Sequence, residues 1–311
     1  MTKEKPRNLA ASVRQRLMNL ARAQKEDFQL VLTRYALERL LYRLSLSEYR
    51  DVFVLKGAML FRLWGDHPHR PTRDLDLLAR GENSIPRFER IFQEVCGLAV
   101  HEDGLVFNAA SVRGDRIKED QEYEGLRLNL ACRLENARIP IQIDIGFGDV
   151  VTPAAAEVTY PVLLDFPPPV LRAYSRESVV AEKFQAMVML GIANNRMKDF
   201  YDLWVLSEQF DFQGSLLCRA IRATFERRRT AVPTEAPVAL SPEFAQDRAK
   251  QTQWRAFVGK SGLDTRGMGL EAIVGALRGF LMPVAEAIVA NTLLETVWRA
   301  TGPWQPQRAA E

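Results

Sequence analysis

The sequence predicts an α+β fold, in which a mixed β-sheet with flanking helices is followed by a helical C-terminal half. Three observations support this fold class. Apolar residues recur at three- and four-residue spacing near the start, they alternate with polar residues in the middle, and helical spacing returns after three consecutive prolines. We therefore expect a helical N-terminal arm over 1–50, a sheet-containing core over 51–168 and a helical C-terminal domain over 169–311.

The individual elements follow from the same periodicities. In the arm, apolar residues that include Leu30, Val31, Tyr35, Leu37 and Leu41 recur at three- and four-residue spacing, as in a helix. In the core, Ile141, Ile143 and Ile145 alternate with Gln142 and Asp144, which is typical of a half-buried strand. The predicted helices are 9–47, 85–95, 176–209, 212–229 and 268–300, and the predicted strands are 52–55, 74–78, 105–112, 126–134 and 139–145. A polar stretch over 229–243 is interpreted as a linker or long loop.

Composition limits the class of protein. The chain has 311 residues, of which 47% are hydrophobic and 26% charged, as in globular proteins. A formal charge of +3 is too small to indicate nucleic-acid binding by itself. The three cysteines, Cys96, Cys132 and Cys218, show no metal-binding or disulfide spacing. With no secretory leader and no long uninterrupted apolar run, we expect a soluble cytoplasmic protein that does not enter a membrane.

Two carboxylates in the segment DLDLL suggest a metal site. Asp74 and Asp76 are two residues apart, so on a strand they project from the same face while Leu75 and Leu77 face the core. Like charges at this distance repel unless a cation lies between them, and Mg²⁺ binds to one or two carboxylates plus phosphate oxygens and water. Asp144 on another strand can supply a third carboxylate. The alternative interpretation is a solvated acidic face of an edge strand.

The segment before this strand favours the metal site. A strand ending at Leu55 is followed by Lys56-Gly57-Ala58 and then by a helix. Backbone N–H groups at such a turn bind anions, including triphosphates. A single glycine between a strand and a helix is, however, often only a turn residue.

Four ordered motifs together resemble a known family. The order of strand, glycine turn, helix, loop and Asp-x-Asp strand resembles the DNA polymerase β-like nucleotidyltransferase superfamily. Within it, FVLKGAMLFRLW and RPTRDLDLL resemble the AbiEii/AbiGii toxin family of type IV toxin–antitoxin pairs, a group that includes the tRNA-modifying MenT toxins. Downstream, EKFQA at 182–186 and RMKDFYDL at 196–203 resemble the family motifs K-x-x-A and R-x-K-D-x-x-D-L. The resemblance covers about residues 51 to 206.

The resemblance implies an enzyme of nucleotidyltransferase fold that requires Mg²⁺. It would transfer a nucleoside monophosphate from an NTP to an RNA acceptor, in particular the 3′ end of tRNA, and so block translation, and a cognate antitoxin protein would restrain it. The implied catalytic residues are Asp74, Asp76, Asp144, Lys183, Asp199 and Asp202, of which the first three would bind the metal. The implied nucleotide-binding residues are Lys56, Gly57, Ala58, Arg73, Arg196 and Lys198.

Physical roles can be argued for the downstream residues as well. A lysine held near a triphosphate offsets the charge that develops on the leaving pyrophosphate, which suits Lys183. Asp199 and Asp202 lie three residues apart on one helix face, where they could fix Lys183 or Arg196 or bind the nucleotide. The C-terminal helical domain would then complete the active site. Ordinary surface ion pairs on an amphipathic helix are the alternative.

Other interpretations remain open at this stage. Ala58 stands where the superfamily often has a second glycine or a serine, so the phosphate cradle departs from the usual pattern. The acceptor could be a protein or a small molecule instead of RNA. A phosphatase of the HAD type also uses Asp-x-Asp, but its glycine turn follows that motif. A degenerate transferase fold that only binds RNA or protein is the third possibility.

Overall fold

The computed structural model describes residues 8–65, 70–118 and 124–307, and part of the loop expected before the Asp-x-Asp strand lies outside them. Two compact units are present. The first takes in the described residues up to Gly148 together with Ala156–Ala173. The second takes in Asp149–Ala155 and the described residues from Tyr174 onward.

The first unit combines four helices with seven strands among its described residues. The helices are α1 (Leu9–Gln24), α2 (Phe28–Leu46), α3 (Phe61–Trp64) and α4 (Ile85–Gly97), and the strands are β1 (Phe53–Lys56), β2 (Asp74–Ala79), β3 (Leu105–Lys118), β4 (Glu124–Leu134), β5 (Ala137–Phe147), β6 (Ala156–Thr159) and β7 (Val170–Ala173). All five strands predicted from alternation are present. The short strands β6 and β7 were not predicted, and β3 extends beyond its predicted end.

The seven strands form one mixed sheet in the order β3-β4-β5-β2-β1-β7-β6. The pairs β2–β5 and β1–β7 are parallel, whereas the other neighbours are antiparallel. One face is apolar because alternate side chains of the central strands point to it: Leu75, Ile143 and Ile145 are all fully buried. The predicted α+β class with a mixed sheet and flanking helices is confirmed.

The predicted helix over 9–47 is two helices. Lys25 ends α1 in the left-handed region, with φ of 53°. Asp27 then starts α2, since its side chain accepts a hydrogen bond from the Leu30 N–H at 3.0 Å. An aspartate at this position satisfies a backbone donor that a helix start leaves open. The sequence periodicity continues across the break, which is why periodicity alone does not reveal it.

Helix α2 carries charged side chains into the interior of the first unit. Arg39 and Arg43 both donate to the carboxylate of Asp103, at 3.2 Å and 2.6 Å, and all three residues are buried. The Tyr35 hydroxyl donates to the Asp103 carbonyl at 2.7 Å. Glu38 accepts a hydrogen bond from the Leu163 N–H at 2.8 Å. These contacts attach α2 to the segments before β3 and β7. They also supply partners for the polar groups that α2 buries, and a buried charge is stable only when it is paired.

The second unit is helical with one small sheet. Its helices are α5 (Arg176–Leu190), α6 (Met197–Gln209), α7 (Gly214–Arg227), α8 (Pro242–Gln246), α9 (Arg248–Ser261) and α10 (Leu270–Val289), and its strands are β8 (Phe212–Gln213), β9 (Thr296–Trp298) and β10 (Trp304–Pro306). The strands are paired in the order β10-β9-β8. The three strands and α9 were not predicted.

Two predicted helices of this unit end earlier than expected. The segment 176–209 breaks at Gly191, whose φ of 47° is unfavourable for other residues, and resumes as α6. The helix predicted over 268–300 ends at Val289, and Asn291 follows with a positive φ of 52°. Within the predicted linker 229–243, a 3₁₀ turn forms at Val238–Leu240 and α8 begins. Ser241 and Asp247 start α8 and α9 by accepting backbone N–H groups, a signal that the sequence contains.

Helix α10 is the one helix among the described residues that is long and apolar enough to cross a membrane. Half of the apolar window is buried inside the structure. Arg278 and Glu286 interrupt it. Core helices of globular proteins have the same length and composition.

Replacing Glu38 by Gln should change how stability depends on pH. Burial raises the pKa of Glu38 from 4.5 to about 7. Between these values the folded chain keeps a proton that the unfolded chain has lost, so stability falls as the pH rises from about 4.5 to 7. We expect the free energy of unfolding of Glu38→Gln, relative to wild type, to rise by up to roughly 3 kcal/mol across this window.

Urea denaturation at several pH values measures this difference. Glu48→Gln is the matched control, because Glu48 is an exposed glutamate just beyond the end of α2. If the free energies of unfolding of Glu38→Gln and wild type change equally with pH, the assignment of a protonated Glu38 is wrong.

Candidate active site

The parallel pairing of β2 with β5 brings three carboxylates together. Asp76 lies beside Asp144 in register, and Asp74 lies beside Gln142. One carboxylate oxygen from each of Asp74, Asp76 and Asp144 lies within 4.8 Å of the other two. All three side chains are on the face opposite the apolar core, because their neighbours on the chain are buried: Leu75, Leu77, Ile143 and Ile145. Among the residues that the structure describes, no second group of three His, Cys, Asp or Glu side chains has this geometry.

The donor set fits a hard divalent cation. Three carboxylate oxygens at this separation can share one ion, and oxygen ligands are those that Mg²⁺ prefers. Three negative charges this close repel one another unless a cation compensates them. The Thr72 hydroxyl donates to Asp74 Oδ1, which orients that carboxylate on the loop side of the strand.

The glycine turn lies directly against this triad. Lys56 at the end of β1 is in register with Asp76, and it is buried. Gly57 follows with a φ of 76°, and a Cβ placed on it would lie 1.9 Å from Asp76 Oδ2. Only glycine therefore permits both the backbone conformation and the position of the Asp76 carboxylate.

The helix expected after this turn is short. It consists of a 3₁₀ turn at Ala58–Leu60 followed by the single turn of α3. Ala58 is buried, with 7% of its surface exposed. A helix dipole is the sum over many peptide units. A segment this short can bind an anion through individual N–H groups, but its macrodipole is small.

Arg127 on β4 is a site residue that sequence reasoning missed. It lies opposite Asp144 in the antiparallel β4–β5 pair. Its Nε donates to Asp144 Oδ1 at 2.8 Å and its Nη2 to Asp144 Oδ2 at 2.7 Å. Leu126 and Leu128 are fully buried, so alternation would have placed Arg127 on the polar face. Its partner could not be read from the sequence, because alternation does not specify the register between strands.

A second cluster of ionisable groups lies within the C-terminal unit. The Lys183 ammonium on α5 donates to Asp199 Oδ1 and lies 2.9 Å from Asp202 Oδ2, both on α6. Arg196 Nε lies 2.7 Å from Asp199 Oδ2. Both aspartates are fully buried. The three-residue spacing of Asp199 and Asp202 thus places them on one helix face, where together they hold Lys183.

The charges of this cluster balance. Burial by itself would raise the pKa of Asp199, but the positive charges of Lys183 and Arg196 outweigh it and lower that pKa. Asp199 therefore stays ionised, and two carboxylates face two cations. Such a buried network is stable only while all its members are present.

The remaining predicted site residues lie at the surface. Arg73, next to the triad on the chain, and Lys198, next to Asp199, are exposed, and Arg196 is partly exposed. In the second unit, Arg228 donates to Asp149 Oδ1 and Gln185 Oε1, each at 2.9 Å. These contacts attach residues near Asp149 to α5.

Replacing Gly57 by Ala should damage the triad. The added Cβ meets Asp76 Oδ2, and the left-handed φ disfavours any side chain, so Asp76 must move. We expect the affinity for Mn²⁺, used as a spectroscopic substitute for Mg²⁺, to fall at least about tenfold, since one of three carboxylates is displaced. Electron paramagnetic resonance of free Mn²⁺ measures it. In the control Gly97→Ala, a Cβ meets nothing within 4 Å, and equal Mn²⁺ affinity in both variants would contradict the prediction.

Replacing Lys183 by Met should destabilise the C-terminal unit. The change removes the cation that contacts both buried aspartates, and breaking a buried ion pair in this way costs about 3 kcal/mol. Lys198→Met, on the neighbouring exposed lysine, should cost less than about 0.5 kcal/mol. Urea denaturation compares the two variants, and a Lys183→Met protein as stable as wild type would show that Lys183 does not balance the two aspartates.

Known proteins were compared with this fold and these residues. Two solved structures from Helicobacter pylori are similar. One is JHP933, with 15% identity over 85% of this chain and 94% of that chain and a TM-score of 0.46. The other is provisionally assigned as a nucleotidyltransferase, with 15% identity over 85% of this chain and 96% of that chain and a TM-score of 0.45. None of the curated proteins matches the sequence.

The family of this chain follows from its match to a family model. The model of the nucleotidyl transferase AbiEii toxins of type IV toxin–antitoxin systems matches residues 39–275. The match covers most of the chain and includes the glycine turn, the aspartate triad and the Lys183 cluster. It also extends well beyond the motifs recognised in the sequence, which end near residue 206. The chain belongs to the AbiEii nucleotidyl transferase toxin family of type IV toxin–antitoxin systems.

Proposed function

We propose that this protein transfers a nucleoside monophosphate from an NTP to an RNA hydroxyl, at the 3′ end of tRNA, with Mg²⁺ on the aspartate triad. Blocked translation would be the consequence. The observation that carries the proposal is the carboxylate triad on β2 and β5, whose oxygens lie within 4.8 Å of one another directly beneath the Gly57 turn. Family membership makes the chain a nucleotidyltransferase and a toxin with a cognate antitoxin.

The reaction displaces pyrophosphate from the NTP. A bond forms between the acceptor oxygen and the α-phosphorus, and the bond from that phosphorus to the bridging oxygen of pyrophosphate breaks. A divalent ion bound by Asp74, Asp76 and Asp144 supplies Lewis-acid stabilisation of phosphate charge. Asp144 is the group to which we assign the hydrogen bond from the attacking hydroxyl and the acceptance of its proton. The backbone N–H groups after Gly57 would bind phosphate oxygens.

Cationic side chains have a defined task in this chemistry. Negative charge builds up on the leaving pyrophosphate, and fixed positive groups stabilise it without reorganisation. Lys56 is in register with Asp76. To Lys183 we assign the role that family resemblance implies, which is compensation of charge on the leaving group. Its contacts with Asp199 and Asp202 would keep the ammonium group fixed in position.

The acceptor is the part of the proposal that rests on family resemblance. Transfer to a protein or small molecule would use the same triad and the same leaving group. A module that only binds RNA would have no use for three adjacent carboxylates, which repel both one another and RNA phosphates. An intact triad therefore favours catalysis.

A labelling experiment tests the proposal. The protein is incubated with Mg²⁺, total tRNA and each α-³²P-labelled NTP in turn, and the RNA is separated on a denaturing gel. We expect label on tRNA with wild type and a loss of at least about 100-fold with Asp76→Asn, since the metal site loses a ligand charge. Asp165→Asn is the matched control, because Asp165 is a fully exposed carboxylate of the same unit.

The outcomes separate the alternatives. Label on protein instead of RNA would identify a different acceptor. Conversion of the labelled NTP to labelled NDP, with release of free phosphate and no transfer, would indicate a phosphatase. Equal labelling by wild type and Asp76→Asn would overturn the role of the triad. If tRNA is modified, adding the modified tRNA to a translation extract should reduce protein synthesis relative to tRNA treated with Asp76→Asn.

A further inference from the structure

The Asp144 carboxylate already has a cationic partner. Both of its oxygens accept hydrogen bonds from Arg127, at 2.8 Å and 2.7 Å, in the two-pronged geometry that guanidinium and carboxylate groups favour. The Gln142 side-chain amide also lies 3.3 Å from each oxygen. A cation that is to bind Asp144 must therefore compete with a strong existing partner.

Arg127 interacts with the whole triad as well as with Asp144. Its hydrogen bond to Asp144 raises the pKa of the guanidinium, and the charges of Asp144, Asp74 and Asp76 raise it further, although burial opposes this effect. Arginine stays charged in proteins, so Arg127 places one positive charge beside the three carboxylates. Repulsion within the triad is correspondingly smaller.

The geometry also permits Arg127 to leave. Its side chain is 38% exposed, whereas that of Asp144 is 12% exposed. The guanidinium therefore lies on the solvent side of the carboxylate, and rotation of the arginine side chain would not require movement of β4. An exposed long side chain loses little by returning to water, whereas a buried carboxylate left alone is costly.

We propose that Arg127 is a positioning residue that holds Asp144 as the resident cation of the metal-free site and gives up at least one of its two hydrogen bonds when a divalent ion binds. This inference rests on the proposed metal site. It has two consequences. Arg127 keeps the triad ordered before the metal arrives, and it weakens metal binding because the ion must displace it. A merely supporting Arg127 that points Asp144 toward the metal would instead strengthen metal binding, so the two roles differ in sign.

Mn²⁺ binding to the full-length protein tests the sign. Free Mn²⁺ is measured by electron paramagnetic resonance during titration of wild type, Arg127→Gln, Arg127→Lys, Asp76→Asn and the control Arg133→Gln. Arg133 is on the same strand and the same face, six residues from Arg127, so its distance along β4 is about 20 Å. Thermal unfolding without metal is recorded for each variant.

We expect Arg127→Gln to bind Mn²⁺ about tenfold more tightly than wild type, because a positive charge in contact with a ligand is removed. Arg127→Lys keeps the charge but not the two-pronged contact, so its affinity should be intermediate, and Arg133→Gln should match wild type. Without metal, Arg127→Gln should melt at a lower temperature than wild type, and Mn²⁺ should raise its melting temperature more.

The other outcomes are equally decisive. Binding by Arg127→Gln that is equal to or weaker than that of wild type, while Asp76→Asn abolishes binding, would overturn the role of Arg127 and leave the metal site standing. No binding by either wild type or Arg127→Gln would overturn the metal site and this inference with it. Binding by Arg127→Gln alone would support the inference strongly.

Discussion

The parallel register of β2 with β5 is the constraint on which the candidate active site depends. This register sets Asp76 beside Asp144 and so forces like charges together. On each side, the adjacent strand contributes a cation in register: Lys56 on β1 faces Asp76, and Arg127 on β4 faces Asp144. Four neighbouring strands thus present a row in the order lysine, aspartate, aspartate, arginine. The two outer cations reduce the repulsion between the central carboxylates.

The C-terminal unit also brings carboxylates close together, and it compensates their charge with ion pairs inside the unit. Lys183 and Arg196 balance Asp199 and Asp202, and both aspartates are fully buried. These ion pairs hold Lys183 in place between the two aspartates. The triad of the first unit is partly exposed and carries excess negative charge, which makes it a place where a cation can bind. A nucleotidyltransferase needs both properties, since phosphate transfer depends on a bound metal and on fixed cationic side chains.

A toxin's activity also has to remain controllable. Family membership places this chain with a cognate antitoxin. A resident arginine on Asp144 adds a restraint within the enzyme itself, because the metal-binding arrangement and the Arg127 contact exclude each other in part. The same contact compensates the charge of Asp144 on the strand pair β4–β5. One interaction therefore orders the metal-free site and keeps its carboxylates in place for a metal ion.

The sequence by itself determined the strand alternation, the shared face of Asp74 and Asp76, the glycine turn and the pairing of Asp199 with Asp202 on one helix face, because these depend on spacing along a single element. Only the tertiary structure decided that Arg127 binds to Asp144 and that Gly57 lies against Asp76. Register between strands depends on how the core packs, and a helix break depends on a capping contact that periodicity does not record. Contacts between elements thus required the folded chain, whereas patterns within elements did not.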